Sequence, residues 1–182
     1  MACRAKFKNE GDKKVLFSIF SRNKLGDPAV KIVAPMSGKV VDLAEVPDKV
    51  FSSKMVGDGI AIEPSEGVVL SPFDGVVKQV FPTGHALVVE SKEGLPLLIH
   101  IGIETVNLKG EGFKVLVAEN QAVKVGTPLV EFEMELIKGK GFPLVSPFVI
   151  PEMDLVDKIK SSGLKEVKKG EDVLIEVFLK KK

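Results

Sequence analysis

Tryptophan and tyrosine are absent from this 182-residue chain, and cysteine occurs once, at Cys3. A single cysteine excludes an internal disulfide and any multi-cysteine metal centre, so the thiol is expected to be unused in a reducing compartment. Long apolar runs are missing too: no stretch reaches the ~20 residues of a membrane-spanning helix. The start, MACRAKFKNEGDKK, has basic residues but lacks the apolar segment and cleavage pattern of a secretory signal. Net charge is nearly absent, with Lys+Arg 26 against Asp+Glu 25 leaving +1. That balance gives no ground for wholesale nucleic-acid binding. A GxxxxGK[ST] phosphate loop is also missing, which argues against ATP use. Together these absences describe a cytoplasmic protein with one sizeable core.

What is present is a strand-and-turn pattern. With 45% hydrophobic residues the chain is not mainly disordered, and 17 glycines and 11 prolines divide it into short pieces. AVKIV, GKVVDL, GIAIEP, GVVLSP, GVVKQV, HALVVE and LPLLIHIGI are short and rich in β-branched residues. They predict an all-β chain, an antiparallel sandwich or barrel-like fold with a few short helical turns. Short helices are expected at Met153 to Ile159 and around Thr105 to Leu108. Residues 1–31 hold eight basic and three acidic side chains, whereas residues 32–151 hold ten basic and fifteen acidic. Residues 1–29 therefore read as a basic arm, and 30–182 as a single domain. Within the arm, Val15, Leu16, Phe17, Ile19 and Phe20 cluster among basic residues. They suit either a packed piece of structure or an amphipathic segment touching the inner face of a membrane transiently.

Two internal echoes suggest related halves. APMSGKVV at 34–41 resembles SPFDGVVK at 71–78, and AVKVGTPLVEF at 122–132 resembles EVKKGEDVLIEVF at 166–178. Repeated Pro-x-x-Gly turns before strands fit two half-sheets sharing one core.

The two histidines, His85 and His100, flank the polar turn SKEG at 91–94. If Glu90 pairs with Leu95, the rings stand directly opposite. If Glu93-Gly94 forms the tight turn, they are diagonal neighbours on one face. Such a pair suits phosphoryl transfer, with one imidazole as nucleophile and the other as donor to the phosphoryl oxygens. Thr83, two residues before His85, is placed to bond its ring. The pair equally suits half of a zinc shell, although no third His or Cys ligand is evident. Two unrelated polar strand residues remain the plain alternative.

The stretches IHIGIETVNLKGEGF, VFSSKMVGDGIAI and IVAPMSGKVVDL resemble the glucose-type enzyme IIA family of the bacterial phosphoenolpyruvate-dependent sugar phosphotransferase system. PTGHALVVES precedes the His100 segment and AVKVGTPLVEF follows it, as in the family, and the resemblance covers roughly residues 30–179. It implies a duplicated β-sandwich and a cytoplasmic phosphocarrier needing no cofactor. By that resemblance His100 accepts a phosphoryl group from HPr and passes it to a cysteine of an enzyme IIB domain, free or within a IICB permease. The sugar taken up is then glucose by default. His85 matches the second active-site histidine and Thr83 its threonine. Val50, Phe51, Met55, Phe81, Val88, Leu98 and Val106 match an exposed apolar docking patch, with Asp48 and Glu104 at its acidic edge. The family's GID is GIE here, and Lys49 replaces an apolar residue. A monomer meeting its acceptor in trans is expected, together with phosphorylation-dependent regulation of transporters or metabolic enzymes. A zinc ion at His85 and His100 is implied only where a partner supplies a further ligand.

Other readings are weaker. A biotinyl or lipoyl carrier needs a tip lysine in a Met-Lys-like setting, but Lys92 lies in SKEG and Met134 precedes Glu135. A zinc peptidase needs an H-x-H pair where this chain has His100-Ile101-Gly102. Purely regulatory binding remains compatible with phosphotransfer.

Overall fold

The structure, a computed structural model, describes residues 30–180. The basic arm expected over residues 1–29 lies outside the described residues. The chain begins with β1 (Val30–Val33), β2 (Gly38–Val41) and β3 (Asp58–Pro64), the short helix α1 (Lys49–Ser52) lying between the last two. β4 (Val68–Leu70), β5 (Gly75–Val80), β6 (Ala86–Ser91) and β7 (Pro96–His100) come next. β8 (Phe113–Val115), β9 (Ala122–Val123), β10 (Pro128–Phe132) and the helix α2 (Met134–Gly139) follow. The chain closes with β11 (Ser146–Ile150), β12 (Val156–Ser161), β13 (Glu166–Val167) and β14 (Val173–Leu179).

These strands form one large sheet, in the order β13-β2-β3-β11-β7-β6-β5-β9, and two three-stranded sheets, β1-β14-β12 and β4-β10-β8. All of their pairings are antiparallel. The order contains its own symmetry. β13-β2-β3-β11 mirrors β9-β5-β6-β7, and β1-β14-β12 mirrors β4-β10-β8. One half is the continuous run β4–β10, inserted between β3 and β11 of the other.

The sequence echoes occupy matching places in the two halves. Gly38 opens β2 and Gly75 opens β5. A Cβ at either glycine would stand 2.0 Å from a backbone oxygen of the next strand, Glu63 O or Glu90 O. Both turns therefore need glycine because the neighbouring backbone comes too close for any side chain.

Packing explains the alternation. Leu87, Val89, Leu97, Ile99, Ile62 and Phe148 are fully buried and point into the main core. The other side of the large sheet carries a smaller cluster in which Leu43, Val46 and Phe51 pack over Ala61, Val149 and Ile103. That cluster holds the segment containing α1 against the sheet. Among the described residues no helix is long and apolar enough to cross a membrane.

Two expectations need correction. Met153 to Ile159 is one 3-10 turn, Met153–Leu155, followed by β12 rather than a helix. The pairing of β12 with β14 shifts between Val156 and Lys158. This bulge turns Val156 and Ile159, three residues apart, toward the core and so imitates helical spacing. The β6–β7 register is also neither of the two expected, because Ala86 pairs with His100 and Glu90 with Pro96. Ser91 N–H donates to Leu95 O, leaving a three-residue turn, Lys92–Gly94, with Gly94 at φ 86°. Three-residue hairpin loops take a left-handed residue at this place.

The two kinds of glycine should respond differently. Gly75→Ala must push Glu90 aside and is expected to cost more than ~2 kcal/mol. Gly94→Ala meets no atom within 4 Å and should cost only the left-handed penalty, about 1–2 kcal/mol. Chemical denaturation of both variants checks this; equal losses would contradict the close-approach argument.

Candidate functional site

His100 is the last residue of β7, on the side of the sheet away from the main core. Strict alternation in the observed register would send His85 to the opposite face. The rings meet nevertheless, with centroids 4.9 Å apart and planes at 82°. His85 lies just outside β6, in the turn after Gly84, whose φ is 67°. The turn, not the ladder, sets the direction of its side chain.

Four rings form a row. Phe51 approaches His100 edge-on at 5.1 Å, and Phe81 approaches His85 at 5.8 Å. Phe51 is delivered by α1, whose N-terminus is capped by Asp48: the carboxylate accepts from Val50 N–H at 2.7 Å and Phe51 N–H at 3.3 Å. An Asp cap satisfies otherwise unpaired donors at a helix start.

Each imidazole is tied through Nδ1. His100 Nδ1–H donates to Gly102 O at 2.8 Å, which leaves the Nε2 lone pair free. His85 Nδ1 lies 2.5 Å from the Thr83 hydroxyl. With that hydroxyl donating, the proton of His85 sits on Nε2. One ring then offers a lone pair and its neighbour an N–H.

Both rings are held neutral. Burial and the adjacent His100 push the pKa of His85 down to about 4. His100 is also lowered, chiefly by burial, against the opposing pull of the Gly102 carbonyl and the Asp48 carboxylate. Among the described residues no group of three or more His, Cys, Asp or Glu side chains gathers to hold a metal. The histidines alone offer two donors, short of a self-contained zinc site.

The expected docking residues separate into three kinds. Val50, Met55 and Val106 are exposed, Met55 by 77%. Phe81, Val88 and Leu98 are half-buried, as is Asp48, while Glu104 is exposed with a left-handed backbone at φ 58°. Phe51 departs from the exposed rim expected of it, being buried against His100 and the smaller core. Sequence reasoning missed the capping work of Asp48, although Asp before a short apolar turn is a readable helix-start signal. It also missed the Gly102 carbonyl, a backbone group with no sequence signature.

A family model described as phosphoenolpyruvate-dependent sugar phosphotransferase system, EIIA 1, matches residues 30–156. A glucose-specific EIIA component of Bacillus cereus is 46% identical over 149 residues, 82% of this chain and 90% of that protein. A glucose-specific EIICBA component of Staphylococcus carnosus is 49% identical over 145 residues, 79% of this chain but 21% of that longer protein. Among solved structures, the glucose permease IIA of Mycoplasma capricolum aligns with a TM-score of 0.72 at 35% identity. It covers 80% of this chain and 94% of that one.

The depressed histidines predict a pH signature. A histidine whose folded pKa lies below its unfolded value binds fewer protons when folded, so its contribution to stability is complete above the unfolded value of about 6.5. That contribution is lost as pH falls toward about 4, the folded value of His85. Ring titration followed by NMR should place His85 near 4, and His85→Gln should flatten the acid limb of the stability profile. A His85 midpoint at or above 6.5 would contradict the site's electrostatics.

Proposed function

The chain belongs to the EIIA 1 family of the phosphoenolpyruvate-dependent sugar phosphotransferase system, whose members are phosphocarriers, and on that premise we propose that His100 carries the phosphoryl group. The observation that carries this reading is the hydrogen bond from His100 Nδ1 to Gly102 O. It assigns the proton to Nδ1 and leaves Nε2 nucleophilic at neutral pH. In the first step the Nε2 lone pair attacks phosphorus of phospho-HPr. A new N–P bond forms, the donor's N–P bond breaks, and its electron pair returns to the donor ring. The Nδ1 proton stays on His100, where the Gly102 carbonyl stabilises the positive charge developing on the ring.

In the second step a cysteine thiolate of the enzyme IIB domain attacks the same phosphorus, and the N–P electrons return to Nε2. His85, with Thr83 setting its tautomer, donates to the phosphoryl oxygens as charge redistributes. Exposed Val50, Met55 and Val106 and half-buried Phe81, Val88 and Leu98 are read as the apolar docking surface for the partners. A partner seated there excludes water and limits hydrolysis. Phe51 acts differently, buttressing the His100 ring from its buried side. Asp48 acts through the cap that presents Phe51, and Glu104 supplies charge at the exposed edge. We assign glucose as the sugar, the cytoplasm as the place of work, and HPr and a IIB domain as partners. These assignments follow the relatives' names and the sequence resemblance.

The two histidines should fail in different ways. His100→Ala should yield no phosphoprotein with phosphoenolpyruvate, enzyme I and HPr. His85→Gln should still be phosphorylated, yet pass the group to IIB about a hundredfold more slowly. A folded His100→Ala that accepts phosphate normally, beside a His85→Gln that accepts none, would exchange the roles.

A further inference from the structure

We propose that Ser146, on a strand 44 residues away in sequence from Gly102, is a positioning residue that fixes the tautomer and aim of the His100 ring. The Gly102 carbonyl can hold that ring only if the peptides on both sides of Gly102 are held. Gly102 stands at φ 68°, outside the ladder, and a Cβ there would meet Thr105 Cγ2 at 2.7 Å and Pro143 O at 2.8 Å. The corner is tight where a Cβ would point, but packing does not orient a peptide dipole. Hydrogen bonds do.

Ser146 opens β11 and is completely buried. Its Oγ–H donates to Leu144 O at 2.7 Å, which commits its single proton. The oxygen can therefore only accept, and it takes Gly102 N–H at 3.0 Å. The next amide repeats the attachment, because Ile103 N–H donates to Pro143 O at 3.0 Å. On the near side, the buried Thr105 hydroxyl donates to Ile101 O at 2.5 Å. Ser146 and Thr105 thus hold the Ile101–Gly102 peptide at its N–H and its C=O, and the Ile103 N–H bond holds the Gly102–Ile103 peptide whose carbonyl faces His100 Nδ1. A carbonyl whose own peptide N–H is bonded is the better acceptor, and for Gly102 O that N–H is Ile103's. Ser146 instead fixes the preceding peptide and with it the direction in which Gly102 aims its carbonyl. Ser146 touches neither His100 nor anything bound to it, so it acts through Gly102.

Removing the hydroxyl leaves Gly102 N–H buried without a partner, a penalty large enough to turn the Ile101–Gly102 peptide and, through the Gly102 backbone, to re-aim the carbonyl that follows. The Nδ1–H of His100 then loses its acceptor, and the two neutral tautomers mix. The consequence for phosphoryl acceptance rests on the reading of His100 as acceptor; the state of the ring does not. The test is therefore made on the unphosphorylated full-length protein, by 15N NMR of the histidine rings. Wild type should show Nδ1 protonated and Nε2 bare. Ser146→Ala should draw the two His100 shifts together and slow acceptance from phospho-HPr about tenfold. Ser146→Cys, close to Ser in shape but a weaker partner, should do the same to a smaller degree and serves if the alanine variant does not fold. Ser91→Ala is the control: it removes another buried hydroxyl, which accepts from Glu93 and Leu95 N–H at the opposite end of β6. It should lower stability and leave the His100 shifts unchanged. Wild-type ring shifts in folded Ser146→Ala or Ser146→Cys would overturn the positioning role, whatever phosphoryl transfer then shows. A failure of wild-type His100 to become phosphorylated would instead overturn the functional reading alone.

Discussion

β7 pairs with β6 on one side and β11 on the other, and this central position decides which way His100 faces. Leu97 and Ile99 point into the main core, so Leu98 and His100 must point away from it. Val149, paired with Leu98 on the neighbouring β11, shares that face with it and with the smaller core. Slipping that register by one residue would bury His100 among leucines and expose Ile99. The His100 ring is thus held by the burial of its neighbours before any hydrogen bond to it is counted.

On that framework the polar contacts refine rather than build. Gly102 O and Thr83 Oγ1 each occupy a ring Nδ1, and burial keeps both imidazoles neutral. A neutral ring with a committed Nδ1 is a nucleophile with one exit. Two charged imidazoles with centroids 4.9 Å apart would repel each other and offer no lone pair, so desolvation favours the state that keeps one. A group passed between protein surfaces needs no deep pocket, only a shallow apolar face that a partner can seal.

The strand-rich fold and its two halves were legible because the P-x-x-G turns repeat, and they repeat because Gly38 and Gly75 meet the same backbone obstruction. The meeting of His85 with His100 was expected from a hairpin spacing the structure does not have; it comes about because the turn at Gly84 aims His85 independently of the ladder. The register was not legible, since the polar SKEG turn read as a two- or a four-residue loop and the three-residue one lay between them. Gly94 in the left-handed region settles it. β12 was mistaken for helix because its bulge spaces Val156 and Ile159 like a helical turn. Phe51 was assigned to an exposed rim because a sequence cannot say which side of a ring faces water. The backbone acceptor for His100 left no trace at all, because any residue at position 102 brings a carbonyl.

The central claim concerns one nitrogen of one ring. Labelling the histidines with 15N, phosphorylating the protein through phospho-HPr and recording phosphorus–nitrogen coupling identifies the atom that bears the group. The account predicts coupling to Nε2 of His100, with Nδ1 still protonated. Coupling to Nδ1 of His100, or to either nitrogen of His85, would contradict it.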